Sequence, residues 1–184
     1  MERIIKTVTE EHRAQVLEFV DRVFTEHADA AEGKAVCTLV EEIRAGKYYL
    51  PELELIMTDE TDEIIGYAMF SRFPLEGKHE NELLLLSPVA VKTELQRRHI
   101  SKELLEYGMK KAAGMGFRAA IVEGDPRNYR ARGFDTAAKY GILPGPTVHL
   151  PHIDCLMAAP LLPGGLDGIT GEVDYSLYKC LLDE

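Results

Sequence analysis

One stretch of this 184-residue chain brings together residue types fit for binding a polyanion: Leu86-Ser-Pro-Val-Ala-Val-Lys-Thr-Glu-Leu-Gln-Arg-Arg-His-Ile-Ser101. An apolar run ends there, a polar loop follows, and a helical pattern begins beside Arg97 and Arg98. The amides of a helix N-terminus lack partners and sit at the positive end of the helix dipole, so such a junction binds phosphate oxygens. The two arginines add charge-assisted donors, and Lys92 and Lys102 enlarge the positive group. The competing reading of the same residues is a solvated basic loop with no ligand.

A second stretch, Glu123-Gly-Asp-Pro-Arg-Asn-Tyr-Arg-Ala-Arg-Gly-Phe134, gathers carboxylates, an asparagine and a tyrosine around a turn. Tyr129 is a phenol able to donate a proton or a hydrogen bond, or else a packing residue on a short helix. Glu82, Glu123 and Asp125 are candidate bases, although an exposed carboxylate is more often solvated, and Asp125 before Pro126 suits simple turn formation.

The elements that must position these groups follow from periodicity. Arg3 to Val8 reads as a strand. Val16, Leu17, Val20, Val23 and Phe24 recur at helical spacing, and a second helix over Glu32 to Ala45 carries Val36, Leu39, Val40 and Ile43 on one face, with Gly46 beyond its end. Leu53 to Met57 and Ile64 to Phe70 flank a charged turn as an antiparallel hairpin, with Gly66 marking a bulge. Glu82 to Val91 is nearly continuous in apolar residues, the pattern of a central strand buried on both faces. Pro88 interrupts it, and because proline donates nothing to a ladder, the sheet is expected to splay there. Lys92 to His99 is a loop, and Ser101 is expected to cap a helix running to Met115. Ala119 to Glu123 is a short strand and Asn128 to Arg132 a helical turn. Five prolines between Pro144 and Pro163 argue for strands and turns in the C-terminal part, with a short helix near Leu177 to Leu182. The order predicts a mixed α/β domain, not a doubly wound dinucleotide fold.

The two stretches together resemble the GNAT acetyltransferases, whose acetyl-coenzyme A motif is a strand followed by Q/R-x-x-G-x-G/A and a helix. Gln96-Arg-Arg-His-Ile-Ser101 occupies that frame, with His99 and Ser101 standing where the family usually has small residues. Asn128, Tyr129, Gly133 and Phe134 fit the family's second motif, and the Gly-Asp-Pro form is similar to the YhbS-like branch. So is Pro163-Gly-Gly-Leu-Asp-Gly-Ile-Thr-Gly-Glu-Val-Asp-Tyr175. The resemblance implies a single GNAT domain over residues 1–184, with a mixed, mostly antiparallel central sheet splayed at the cofactor-binding strand and flanked by helices.

The same resemblance implies an N-acetyltransferase using acetyl-coenzyme A, with a direct transfer to a primary amine in a ternary complex. Gln96, Arg97, Arg98, His99, Ile100, Ser101 and Lys102 would hold the pyrophosphate. Val89, Ala90 and Val91 would bond the pantetheine arm, and Asn128 would help bind the cofactor. Tyr129 would protonate the departing thiolate, with Glu82 or Glu123 as base. The alternatives are an acetyl-coenzyme A-binding regulatory module on the same fold and a catalytically inactive scaffold.

Composition sets the outer bounds. With 46% hydrophobic residues and a mean hydropathy of −0.14, the chain can form a folded core. A net charge of −10 repels phosphate backbones and favours a cationic amine over an anionic acceptor, so no nucleic-acid partner is expected. A small-molecule or peptide amine remains the expected partner, and a homodimer stays open. No apolar run is long enough to span a membrane, and the start has no signal-peptide core. Cys37, Cys155 and Cys180 are widely spaced, which fits free thiols in the cytoplasm. His149 and His152 lack a third ligand, so no metal is expected. Gly114-Met-Gly116 closes a helix rather than opening one, which excludes a dinucleotide fingerprint.

Overall fold

The computed structural model describes residues 1–182. Its principal strands take the order β1-β2-β3-β4-β5-β8-β6 in a seven-stranded sheet, and β7 pairs with β9 in a separate two-stranded one. The chain divides into two compact units, the first formed by Met1–Phe70 with Pro88–Gly108 and the second by Ser71–Ser87 with Met109–Glu184.

In the first unit, β1 (Ile4–Thr7), β2 (Glu54–Thr58) and the start of β3 (Ile64–Arg72) form an antiparallel meander, with Ile4 opposite Thr58 and Glu54 opposite Met69. The register slips between Met57 and Thr58, opposite Gly66, so the expected bulge is present. α1 (Arg13–His27) and α2 (Ala30–Ala45) bury Val16, Val20, Val40 and Ile43, the stripe that helical spacing selects. Asp29 caps α2 by accepting from the Glu32 amide at 2.9 Å, which starts that helix two residues before the expected Glu32.

α3 (Ile100–Gly114) is seated by two glycines. A Cβ on Gly66 would lie 2.7 Å from Ile100 Cγ2 and 2.8 Å from Leu104 Cδ1, and one on Gly108 would lie 2.4 Å from Phe70 Cε2. Any side chain at either position would push the helix off the strand, and the first of them fixes the helix start. That start is Ile100, and the His99 carbonyl accepts the first helical bond from the Glu103 amide at 3.0 Å. His99 therefore occupies the cap position, and Ser101, expected to be the cap, lies in the first turn.

In the second unit, β4 (Leu83–Val91) begins beside β5 (Ala119–Glu123) in a parallel ladder from Leu83↔Ala119 to Leu85↔Ile121. β5 continues to Glu123 in an antiparallel ladder with β8 (Leu156–Pro160), and β8 also pairs β6 (Asp135–Thr136). Leu83, Leu84, Ala119, Ala120, Ile121, Met157, Ala158 and Ala159 are all but inaccessible, as a strand centre covered on both faces requires. The chain passes from this unit to the first between Ser87 and Pro88. α4 (Pro126–Tyr129) follows β5, and β7 (Ile142–Pro144) pairs in parallel with β9 (Gly171–Val173). The C-terminal part consists of strands and turns as expected. In place of the short helix near Leu177 to Leu182 there are two single 3-10 turns, Tyr175–Leu177 and Lys179–Leu181.

Candidate active site

β4 changes character along its length. Leu83 to Leu86 are buried on both faces, whereas beyond them Ser87, Val89 and Val91 are half-exposed and alternate with buried Pro88 and Ala90. A strand normally shows that alternation where one face loses its cover. The three residues expected to meet an extended arm therefore include two, Val89 and Val91, with accessible surface, while Ala90 offers only its main chain.

The loop that follows is held in an unusual conformation. After a 3-10 turn at Thr93–Leu95, Arg97 and His99 adopt left-handed backbone angles, with φ of 63° and 64°. A non-glycine residue in that region costs on the order of 1–3 kcal/mol. Gln96, Arg97, Arg98 and His99 are exposed, and Ile100 is buried against Gly66, leaving it only a main-chain amide to offer. Among the described residues neither Arg97 nor Arg98 pairs with a carboxylate. The neighbouring lysines are different: Lys92 lies 2.8 Å from Glu63 and 3.3 Å from Glu94, and Lys102 lies 3.8 Å from Glu106. The bond to Glu63 raises the Lys92 ammonium above its ordinary range. In an acidic chain, the two guanidinia without a carboxylate partner directly precede the N-terminal turn of α3, a donor set whose charge fits a pyrophosphate.

The end of β5 carries the second group. Tyr129 stacks over the backbone of Gly124, where a Cβ would come within 2.4 Å of its ring, and meets Phe134 edge-on at 5.7 Å. Its hydroxyl has no hydrogen-bond partner among the described residues. Burial pushes this phenol above its ordinary range, against the pull of Arg132. Asn128 is exposed on the same turn. Asp125 accepts from the Arg127 amide at 2.9 Å and pairs with its guanidinium at 2.7 Å, which lowers its pKa and makes it a cap of α4.

The two expected bases are placed at opposite ends of the strands. The Glu82 carbonyl accepts from the Arg118 amide, at the beginning of the parallel ladder. Its carboxylate is engaged by His79 at 3.0 Å and Arg118 at 2.6 Å, in that order the causes that hold it below the usual carboxylate range. Glu123 lies five residues along β5 from Arg118, about 16 Å by the strand rise. Continuing the ladder's offset sets Glu123 level with Ser87. Glu123 is exposed, and its Oε2 accepts a 2.6 Å hydrogen bond from the Tyr175 hydroxyl. Neither Tyr175 nor the Arg118–Glu82–His79 chain is legible as a contact in the sequence: 52 and 36 residues separate the partners.

Residues 15–135 match the model of the Acetyltransferase (GNAT) family. The chain belongs to that family, and is by that membership an N-acetyltransferase. Acetyl-coenzyme A is the family's co-substrate. The uncharacterized N-acetyltransferase YhbS of Escherichia coli K12 is 26% identical over 147 residues, which is 78% of this chain and 83% of that protein. The crystal structure of an Escherichia coli GNAT family N-acetyltransferase (YhbS) in complex with CoA is similar at a TM-score of 0.83 and 23% identity, covering 97% of this chain and 92% of that one. A GNAT family acetyltransferase from Brucella melitensis in complex with acetyl-CoA gives a TM-score of 0.72 at 20% identity, covering 96% and 98%. These structures establish the GNAT fold expected from the sequence.

Proposed function

We propose that the chain moves an acetyl group from acetyl-coenzyme A directly to a primary amine in a ternary complex, as one functional domain over residues 1–184. The observation that carries this reading is the loop at the start of α3, where Arg97 and His99 are held at left-handed backbone angles and two arginines without a carboxylate partner among the described residues add positive charge. Strain of this kind persists where a bound group repays it. Arg97, Arg98, the Gln96 side chain and the amides of Arg97 to Lys102 hold the pyrophosphate, and the half-exposed Val89 and Val91 with Ala90 line the arm. Asn128 contributes a polar contact from the turn after β5.

Bound acetyl-coenzyme A supplies the acetyl group as a thioester. Glu123 takes the proton that leaves the amine as the new C–N bond forms and the C–S bond breaks, and Tyr129 gives a proton to the departing sulfur. Both residues then re-equilibrate with water, so amine and thioester become amide and thiol. The raised phenol stays protonated at neutral pH and is always ready to donate. Full transfer to a thiolate of ordinary basicity costs about 1.4 kcal/mol for each pKa unit between the two groups, so much of the benefit lies in the hydrogen bond. Glu82, clamped at the other end of the strand, serves as a structural tie.

The acceptor is a small-molecule or peptide amine, and the net charge of −10 favours a cationic one. Among the described residues no helix is long and apolar enough to cross a membrane. The wide spacing of Cys37, Cys155 and Cys180 along the chain supports a cytoplasmic setting for this activity. The test is calorimetric titration with acetyl-coenzyme A of the wild type and of Arg97→Glu/Arg98→Glu. Saturable binding weakened at least about tenfold in the variant is expected; equal affinity in both would remove the loop from the site. His99 in the left-handed position favours one rival, a module that binds the cofactor and transfers nothing. Binding without thiol release across an amine panel, and indifference to Tyr129→Phe, would establish that rival instead.

A further inference from the structure

We propose that Tyr175 is a positioning residue for Glu123, fixing one carboxylate oxygen so that the other faces the acceptor amine as the proton-accepting atom. The inference rests on the reading of Glu123 as the base. Tyr175 comes from the C-terminal segment two residues after β9, and its hydroxyl reaches Glu123 Oε2 at 2.6 Å, the short range typical of a hydroxyl donating to a carboxylate.

The phenol is itself immobilised. Its ring is buried and meets Phe73 edge-on at 6.4 Å. Its main-chain amide donates to Thr147 Oγ1 at 2.8 Å, and that hydroxyl donates to Asp174 at 2.8 Å. The β7–β9 ladder anchors the segment just before, with Pro144 opposite Val173 and the Gly145 amide bonded to the Val173 carbonyl. A glutamate at an exposed strand end would otherwise sample many rotamers, and holding it still costs side-chain entropy. Here that freedom is removed before any substrate arrives.

The location is also suited to the task. Glu123 ends β5 and is followed directly by Gly124, on whose backbone the Tyr129 ring stacks, so acceptor of one proton and donor of the other lie on one short segment. Tyr175 takes no part in the proton transfer: the amine proton passes to Glu123 Oε1, while the phenol keeps its own, which burial and the Glu123 charge bind more tightly than usual. A simple strut tying the C-terminal segment to β5 would show the same contact, so the test must separate orientation from tethering.

Free-thiol release from acetyl-coenzyme A is measured with the amine of a broad panel that turns over fastest, for Tyr175→Phe, Glu123→Gln and the double variant, with the melting temperature of each. Expected are a fall in kcat of about tenfold for Tyr175→Phe with KM for acetyl-coenzyme A unchanged, a fall of about a hundredfold for Glu123→Gln, and a double variant no slower than Glu123→Gln alone. Tyr175→Phe keeps the ring against Phe73, and a melting temperature equal to that of the wild type guards against a folding defect. An unchanged kcat in Tyr175→Phe, a loss confined to KM, or a further loss on adding it to Glu123→Gln overturns the positioning role while leaving Glu123 as base. An unchanged kcat in Glu123→Gln removes Glu123 and Tyr175 together, and absence of turnover with every amine removes the transfer reading itself.

Discussion

Two glutamates in this protein accept hydrogen bonds from tyrosines at strand ends, and their surroundings give them opposite uses. Glu54, at the start of β2, is fully buried. Arg44 donates to its Oε1 from Nε at 2.9 Å and from Nη2 at 2.5 Å, Tyr67 donates to the same oxygen at 3.0 Å, and Tyr49 donates to Oε2. Burial drives the Tyr49 phenol up to about 12 and the Tyr67 phenol well above its ordinary value, with the carboxylate reinforcing both. Burial also works against the Arg44 charge, and the contact with Glu54 more than offsets it. Glu123 is exposed and has one tyrosine. A carboxylate whose lone pairs are all engaged out of water is a fastening, because any proton arriving there must displace a charge-assisted bond. One with a fixed oxygen and an exposed one can exchange protons.

The contrast predicts where each kind of damage appears. The largest effect belongs to Arg44→Met, which strands a buried carboxylate and should cost about 3–5 kcal/mol of stability, read as a lower urea midpoint. A loss under about 1 kcal/mol would mean that water reaches Glu54, placing it in the same class as Glu123. Tyr67→Phe removes one donor from the same carboxylate and should cost about 1.5–3 kcal/mol, with kcat unchanged at temperatures where the variant is folded. A fall in kcat would show that the cluster serves the chemistry.

The smallest effect is expected from the third carboxylate. Glu82→Gln breaks a partly exposed pair and should cost under about 1 kcal/mol near pH 7. Because the folded Glu82 has a pKa below its reference value of 4.5, its contribution is present above that value and fades as pH falls through the lower folded one. The difference in melting temperature between wild type and variant should therefore close in acid. A gap that persisted or widened at low pH would contradict the clamp by His79 and Arg118.

Much of the fold could be read from periodicity and punctuation. β5 was delimited to the residue, and β3, β4, α2 and α3 within one or two, because each carries a stripe or an apolar run long enough to select one period. Gly66 signalled a bulge, yet its closer constraint, the 2.7 Å approach of Ile100, depends on a helix thirty-four residues away in sequence and has no local signature. The C-terminal segment was readable only as strands and turns, since a three-residue strand such as β9 owes its pairing to its partner rather than to its own propensity.

The candidate site divides along the same line. Arg97, Arg98, Asn128 and Tyr129 could be nominated as candidates because phosphate binding at a helix start and proton donation would require those residue types, next to a strand end, in short contiguous motifs. The left-handed angles at Arg97 and His99 could not, since residue identity there favours the opposite region. Nor could the choice between Glu82 and Glu123. Both are strand-terminal glutamates with nothing local to separate them, and only the parallel ladder sets them at opposite ends. Which carboxylate meets an arginine and which meets a tyrosine was decided by chain closure over 36 and 52 residues. By itself the sequence determined most of the elements and nominated the basic loop and the phenol as candidates, because those depend on neighbours along the chain. The tertiary structure alone decided which acid is enclosed by donors and which keeps an exposed oxygen, because burial and hydrogen-bond partners belong to the packed molecule.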